Sequence, residues 1–207
     1  MTDNPGPARR SVGLRTWVFF AGVALLFLGA DQGTKAWVRH HLAGSYQVFE
    51  YIHPRHCASL GESLRATAPV ACTNLLANYA DLRYEENPYG GWGLLRGVST
   101  RVRRPFFLLA SVLAIGFVVY LFRGLGREQR LSRWALPLVL GGALGNLVDR
   151  VRTGNVVDFI HLHWRDRLHY PVFNVADIAL TVGLALLLFE WVFGQRRGRP
   201  AALPKTG

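Results

Sequence analysis

An all-α integral membrane protein with four transmembrane helices is the fold this sequence predicts, and three observations predict it. Half of the 207 residues are hydrophobic, and they gather in four long runs at 17–38, 105–122, 134–149 and 172–194 instead of being spread as a soluble core requires. The runs approach or reach the roughly 20 residues that cross a bilayer, and they are too long and too continuously apolar for strands. Basic residues flank them, giving a formal charge of +11 and a pI near 10.6. No basic helix interleaved with aromatics and no base-reading motif accompanies that charge, so membrane phospholipid is the expected partner and nucleic acid is not.

Residues 1–16, with Arg9, Arg10 and Arg15, read as a flexible cytoplasmic N-terminus ahead of helix one. The first apolar run is followed by DQGTKAW and not by a small-residue cleavage site, so it is expected to persist as a helix. Four spans return the chain to its starting side, which makes the short 123–133 connection and the basic tail at 195–207 cytoplasmic. Arg101, Arg103 and Arg104 depart from that pattern, because they precede helix two on the outer side. Residues 39–104 form an extracytoplasmic insertion, expected to be a small cap, with 70–83 as a candidate interfacial helix. Cys57 and Cys72 could close a 16-residue loop as one disulfide in an oxidising compartment, or stay as two unpaired thiols. The stretch NPYGGWG at 87–93 fits a substrate-facing loop or a turn with an interfacial Trp92, and lacks the GxxxxGK[ST] of a phosphate loop. Helix three is the shortest run and needs its 131–133 turn and Arg150 to span; Gly141, Gly142 and Gly145 suit close helix contacts.

Ionisable residues at the mouths of these runs carry the functional argument, because charge at bilayer depth is costly. Asp31 and Lys35 are four apart on one helical face, as are Asn146 and Arg150, with Asp149 three from Asn146. Asp158 stands between VV and FI, and Asp177 follows Asn174 by three residues at the opening of helix four. If Asp158 and Asp177 converge, they could share a proton, one activating water as general base while the other polarises a scissile carbonyl. A metal hydrolase is the competing chemistry, with Asp158, His161, His163 and His169 as ligands; no HExxH accompanies them, and no metal is expected. The absence of a GxSxG elbow disfavours serine chemistry. A noncatalytic transporter subunit or lipid-binding scaffold, whose polar helix ends serve packing or permeation, is the alternative of another class.

DQGTK at 31–35, GNLVDRVRTGNVVDF at 145–159 and FNVAD at 173–177 together resemble the lipoprotein signal peptidase (signal peptidase II) family of bacterial aspartyl membrane peptidases. The resemblance implies that Asp158 and Asp177 are a catalytic dyad, with supporting roles for Asp31, Lys35, Asn87, Asn146, Arg150 and Asn174 and a structural or site-positioning one for Asp149. It implies no cofactor, and a monomer in the inner membrane with its site near the periplasmic face. The implied substrate is a diacylglyceryl-modified prolipoprotein, cut on the amino side of the lipidated cysteine. The family's NxGAAFG segment is altered here: Asn87, Trp92 and Gly93 fit, but Tyr89 replaces the first glycine and Gly90 and Gly91 the two alanines.

Overall fold

The computed structural model describes residues 12–43, 73–76, 79–90, 93, 95–126, 128–164 and 167–194. Four helices form the body: α1 (Leu14–Leu42), α2 (Thr100–Arg123), α3 (Arg130–Arg152) and α4 (Val175–Gly194). All four are long and apolar enough to cross a membrane. Of the expected termini, 1–11 and 195–207 lie outside the described residues, as do Cys57 and Cys72, while residues 14–16 already belong to α1.

Helix α3 is the core of the bundle. Its glycines let neighbouring backbones approach: a Cβ on Gly141 would lie 2.7 Å from the Ala24 carbonyl of α1, and one on Gly142 2.5 Å from the Ala176 carbonyl of α4. On α1, Phe20, Ala24, Asp31, Lys35, Val38 and Leu42 form the buried stripe, at the three- and four-residue steps of one helical face. Helix α2 buries only Arg103, Val118 and Phe122, and presents Leu109, Leu113 and Phe117 outward. Such continuous apolar exposure suits lipid rather than water. Phe20, Ala24, Val118, Phe122, Leu136, Val139 and Leu140 close one part of the bundle, and Val38, Leu42 and Phe159 cluster where α1 meets the strands.

The all-α expectation needs one correction. A small antiparallel sheet runs in the order β1 (Thr73–Leu76), β2 (Ala80–Asn87), β3 (Val156–Trp164), β4 (Leu168–His169). The described part of the 70–83 segment is therefore strand and turn, not an interfacial helix, because β2 finds hydrogen-bond partners on the valine- and aromatic-rich β3. Val156, Val157, Asp158 and Phe159 are all buried, so the strand that carries Asp158 is covered on both faces where it leaves α3.

Helix ends also differ from the apolar runs. Helix α3 starts at Arg130, four residues before its run, because Glu190 of α4 accepts the Leu131 and Ser132 N–H groups at 3.0 and 2.8 Å, a carboxylate cap on its positive end. Helix α4 starts at Val175 rather than 172, since Phe173 is held on β3: its carbonyl accepts from Phe159 and Ile160, and its N–H donates to Ile160.

Candidate functional site

The FNVAD motif folds as a capping box. Asn174 Oδ1 accepts the Asp177 N–H at 3.0 Å while Asp177 Oδ2 accepts the Asn174 N–H at 3.1 Å, which fixes the start of α4 and the Asp177 carboxylate together. The Asn174 side-chain amide also donates to Asp158 Oδ1 at 2.6 Å and to the Asn146 oxygen at 3.2 Å. Asn146 in turn donates to Asp177 Oδ1 at 2.9 Å, and Asn87 donates to Asp158 Oδ2 at 2.9 Å. Asp158 and Asp177 thus converge, distant in sequence, through one residue that bonds both. Each of their four oxygens accepts an amide N–H. Burial, then the charge of Asp177, pushes the Asp158 carboxyl well above the usual carboxylate range, against the opposing pull of Asn87, Lys35 and Asn174.

One step deeper lies a neutralised knot. Lys35, fully buried, sits 2.9 Å from Asp31 and 2.8 Å from Asp149, and donates to Asn146 at 3.1 Å. Both acids also hold backbone: Asp31 accepts the Ala176 N–H of α4 at 2.9 Å, and Asp149 the Val157 N–H of β3 at 3.2 Å. Arg39 adds a second cation to Asp149 at 2.6 Å. Gly145 leaves the room for this knot, because a Cβ there would lie 2.5 Å from Asp31 Oδ2.

The rim comes from the altered glycine segment and the arginines of α2 and α3. Asn87 Oδ1 accepts the Tyr89 N–H at 2.9 Å, making a turn that continues into Gly90 at φ 73°, where a Cβ would meet the Phe107 ring at 2.9 Å. Tyr89, at the substituted position, lies under the Arg103 guanidinium at 4.5 Å. Arg103 also donates to the Val98 carbonyl and Arg104 to that of Thr153, so two of the arginines that run against the positive-inside pattern are engaged by the rim. Arg150 donates to the Asn146 carbonyl at 3.3 Å, and its guanidinium stands over the Phe107 ring at 5.2 Å.

The histidines do not join Asp158. Residues three apart on a strand point to opposite faces, and His161 and His163 instead meet Asp81 of β2, register partner of His161. Asp81 Oδ1 is 3.2 Å from His161 Nδ1, and Asp81 Oδ2 is 3.4 Å from His163 Nε2. Arg83 donates to both Asp81 oxygens, at 3.1 and 3.3 Å. Burial alone would raise the Asp81 carboxyl, but its contacts with His161 and Arg83 prevail and hold it at about 2, while burial lowers the His161 imidazole.

Every residue singled out in the sequence for the acid site is therefore gathered at one end of the bundle: Asp31, Lys35, Asn87, Asn146, Asp149, Arg150, Asp158, Asn174 and Asp177. Three residues of the two clusters escaped the sequence reading, Arg39 beside the acid site and Asp81 and Arg83 beside the histidines. Arg39 was findable, since it continues the four-residue step from Asp31 through Lys35. Asp81 and Arg83 gave no signal, because their partner His161 is some eighty residues away.

The sequence pattern of Signal peptidase (SPase) II matches residues 23–193. The chain is similar to the lipoprotein signal peptidase of Pseudomonas putida, 33% identical over 196 residues that cover 95% of this chain and 98% of that one. It is similar also to the lipoprotein signal peptidase of Syntrophotalea carbinolica, 44% identical over 123 residues, 59% of this chain and 74% of the other. A solved bacterial membrane enzyme, determined by the in meso method at 2.3 Å resolution, shares the fold with a TM-score of 0.66 at 22% identity, over 94% of this chain and 98% of that one.

Proposed function

The chain belongs to the signal peptidase II family, and from that premise we propose that it is an aspartyl endopeptidase of diacylglyceryl-modified prolipoproteins, cutting on the amino side of the lipidated cysteine. The observation that carries the aspartyl reading is Asn174, whose side chain donates to Asp158 and whose backbone N–H donates to Asp177. Two carboxylates so held repel each other and share one proton. Asp158, raised by burial, keeps it; Asp177, half-buried, is the ionised partner.

Asp177 takes a proton from a water molecule, whose oxygen attacks the scissile carbonyl carbon, while the Asp158 proton is donated to the carbonyl oxygen. The product is a neutral tetrahedral diol. Its C–N bond breaks as the amine nitrogen accepts the proton Asp177 gained, and Asp158 recovers its own from the collapsing hydroxyl. No covalent enzyme intermediate forms. The amides of Asn87, Asn146 and Asn174 hold both carboxyl groups in place without neutralising either, so no rearrangement of charge is needed at the moment of reaction.

The placement of substrate follows from the membrane. The diacylglyceryl chains stay among the acyl tails and bring the modified cysteine to the bundle laterally, which confines the search to a surface. Arg150, over Phe107 and beside Asn146, is placed to hold a substrate carbonyl or lipid ester oxygen through its several N–H donors. With the N-terminus cytoplasmic, the dyad lies near the periplasmic face of the inner membrane. The test is cleavage of a lipidated precursor by the purified chain in detergent, with Asp158→Asn and Asp177→Asn beside it. Release of a product beginning at the lipidated cysteine, lost in both folded variants, is the expected result; cleavage that survives either substitution overturns the dyad.

A further inference from the structure

Asp81, His161 and His163 lie outside the proposed reaction, and their donor atoms all fall within 4.8 Å of one another in a buried patch between β2 and β3. We propose that these three side chains form a structural site for a zinc-type divalent ion, which Arg83 fills when the ion is absent. The proposal is independent of the peptidase reading.

The argument starts from strand geometry. His161 and His163 are two apart on β3 and so share a face, and the β2–β3 register sets Asp81 directly opposite His161. Two imidazoles and a carboxylate are the donor set that zinc takes, with bonds of roughly 2.0 to 2.1 Å, and a tetrahedron of that size has edges of about 3.4 Å. Asp81 Oδ1 is 3.2 Å from His161 Nδ1 and Asp81 Oδ2 is 3.4 Å from His163 Nε2, so each imidazole lies about one such edge from a carboxylate oxygen, and a turn of the carboxylate brings one oxygen toward both. Water completes the fourth position.

The surroundings strengthen the case. His161 Nε2 is 3.3 Å from His169 Nδ1, so the second nitrogen has the outer partner that a ligating histidine characteristically has. Asp81 Oδ1 and Arg83 Nη2 both converge on His161 Nδ1, the nitrogen that faces the proposed ion. The cation there now is the Arg83 guanidinium. Its side chain is 14% exposed and already within 3.6 Å of Glu85, which gives it a second carboxylate to rest on when an ion displaces it. A bound ion would tie β2 to β3, the strand that carries Asp158, without touching the dyad.

Cobalt(II) is the probe, since tetrahedral cobalt absorbs visibly. The full chain, with any affinity tag removed, is stripped with chelator, dialysed in detergent and titrated. One equivalent per chain is expected, displaced by zinc, with a rise in melting temperature. Arg83→Gln removes a competing positive charge and should tighten binding about tenfold or more. His161→Ala with His163→Ala should abolish it. Cleavage assayed well below the melting temperature should be the same before and after stripping. Failure of the wild-type chain to bind, even if Arg83→Gln binds, overturns the proposal by making the guanidinium the permanent occupant. A cobalt signal that persists in the double histidine variant overturns it too, by assigning the ion to other histidines such as the exposed pair His40 and His41.

Discussion

Two pairs of acids meet around Asn146, and they are treated in opposite ways. Asp31 and Asp149 enclose Lys35, with Arg39 adding to Asp149, and each also holds a backbone N–H of a neighbouring element. Asp158 and Asp177 receive only amide hydrogen bonds among the described residues. Burial alone does not separate the pairs: Asp177 is half-buried, but Asp158 is 4% exposed against 0% for Asp31 and Asp149. A directly paired cation does. A buried carboxylate facing a lysine stays ionised and works as a fastener, whereas one facing another carboxylate can gain and lose a proton.

If that contrast is right, the largest loss of activity comes from the unneutralised pair. Asp158→Asn and Asp177→Asn should each reduce turnover at least about 10³-fold, the scale of general acid–base catalysis lost with a shared proton. Each should change stability by only about 1 kcal/mol, since the amide removes a like charge but turns one accepting oxygen into a donor that faces another N–H. Melting temperatures measured beside cleavage rates check this, and a variant that is both inactive and unfolded would mean the acid is a fastener after all. The opposite profile is expected from the knot. Lys35→Met leaves two carboxylates buried without their cation and should cost about 3 to 5 kcal/mol of stability. Adding Asp31→Asn and Asp149→Asn to it should restore much of the loss; a triple variant as unstable as the single one would show that charge is not what the lysine supplies.

A pH series sharpens the same comparison at smaller amplitude. The folded-state value of Asp158 is raised above its unfolded one, so the stabilisation it contributes is complete below the ordinary carboxylate value of ~4 and is lost as pH rises through the raised value. Against Asp158→Asn, the wild-type melting temperature should therefore fall progressively with rising pH and then level off. A constant difference across the series would place Asp158 among the neutralised acids. Cleavage should keep its upper limb above the usual carboxylate range for the same reason.

Much of this contrast was written in the sequence. Continuous apolar runs exposed the four spans, and DQGTK, GNLVDRVRTGNVVDF and FNVAD carried nearly all of the acid site. What stayed hidden was hidden for physical reasons. Val156 through Phe159 are buried on both faces, which erases the alternation that signals a strand. Residues 80–83 fall within the segment read as an interfacial helix, although Ala80, Leu82 and Tyr84 alternate with Asp81, Arg83 and Glu85 as a strand does; the partner that decides it, β3, comes from far along the chain. Helix α3 begins ahead of its apolar run because its first turn is capped from another helix, by Glu190. The capping box in FNVAD, by contrast, is a local pattern, and it could have fixed the start of α4 at Val175 from the sequence alone.

Arg150 tests the boundary between the two pairs with the mildest substitution. It shares a helix with Asn146 and Asp149, yet its guanidinium points across Phe107 toward the rim and not into the lysine knot. Were it a fastener, lysine would retain the charge and most of the function. Holding a carbonyl or ester oxygen needs the planar fork, which a single ammonium does not supply. Arg150→Lys should therefore lower kcat/KM roughly tenfold, about 1.4 kcal/mol, with an unchanged melting temperature. Cleavage of the lipidated precursor at the wild-type rate would remove the need for guanidinium geometry. A fall in stability without a separate kinetic effect would move Arg150 to the side of Lys35 and Arg39, among the residues that hold the bundle closed around the dyad.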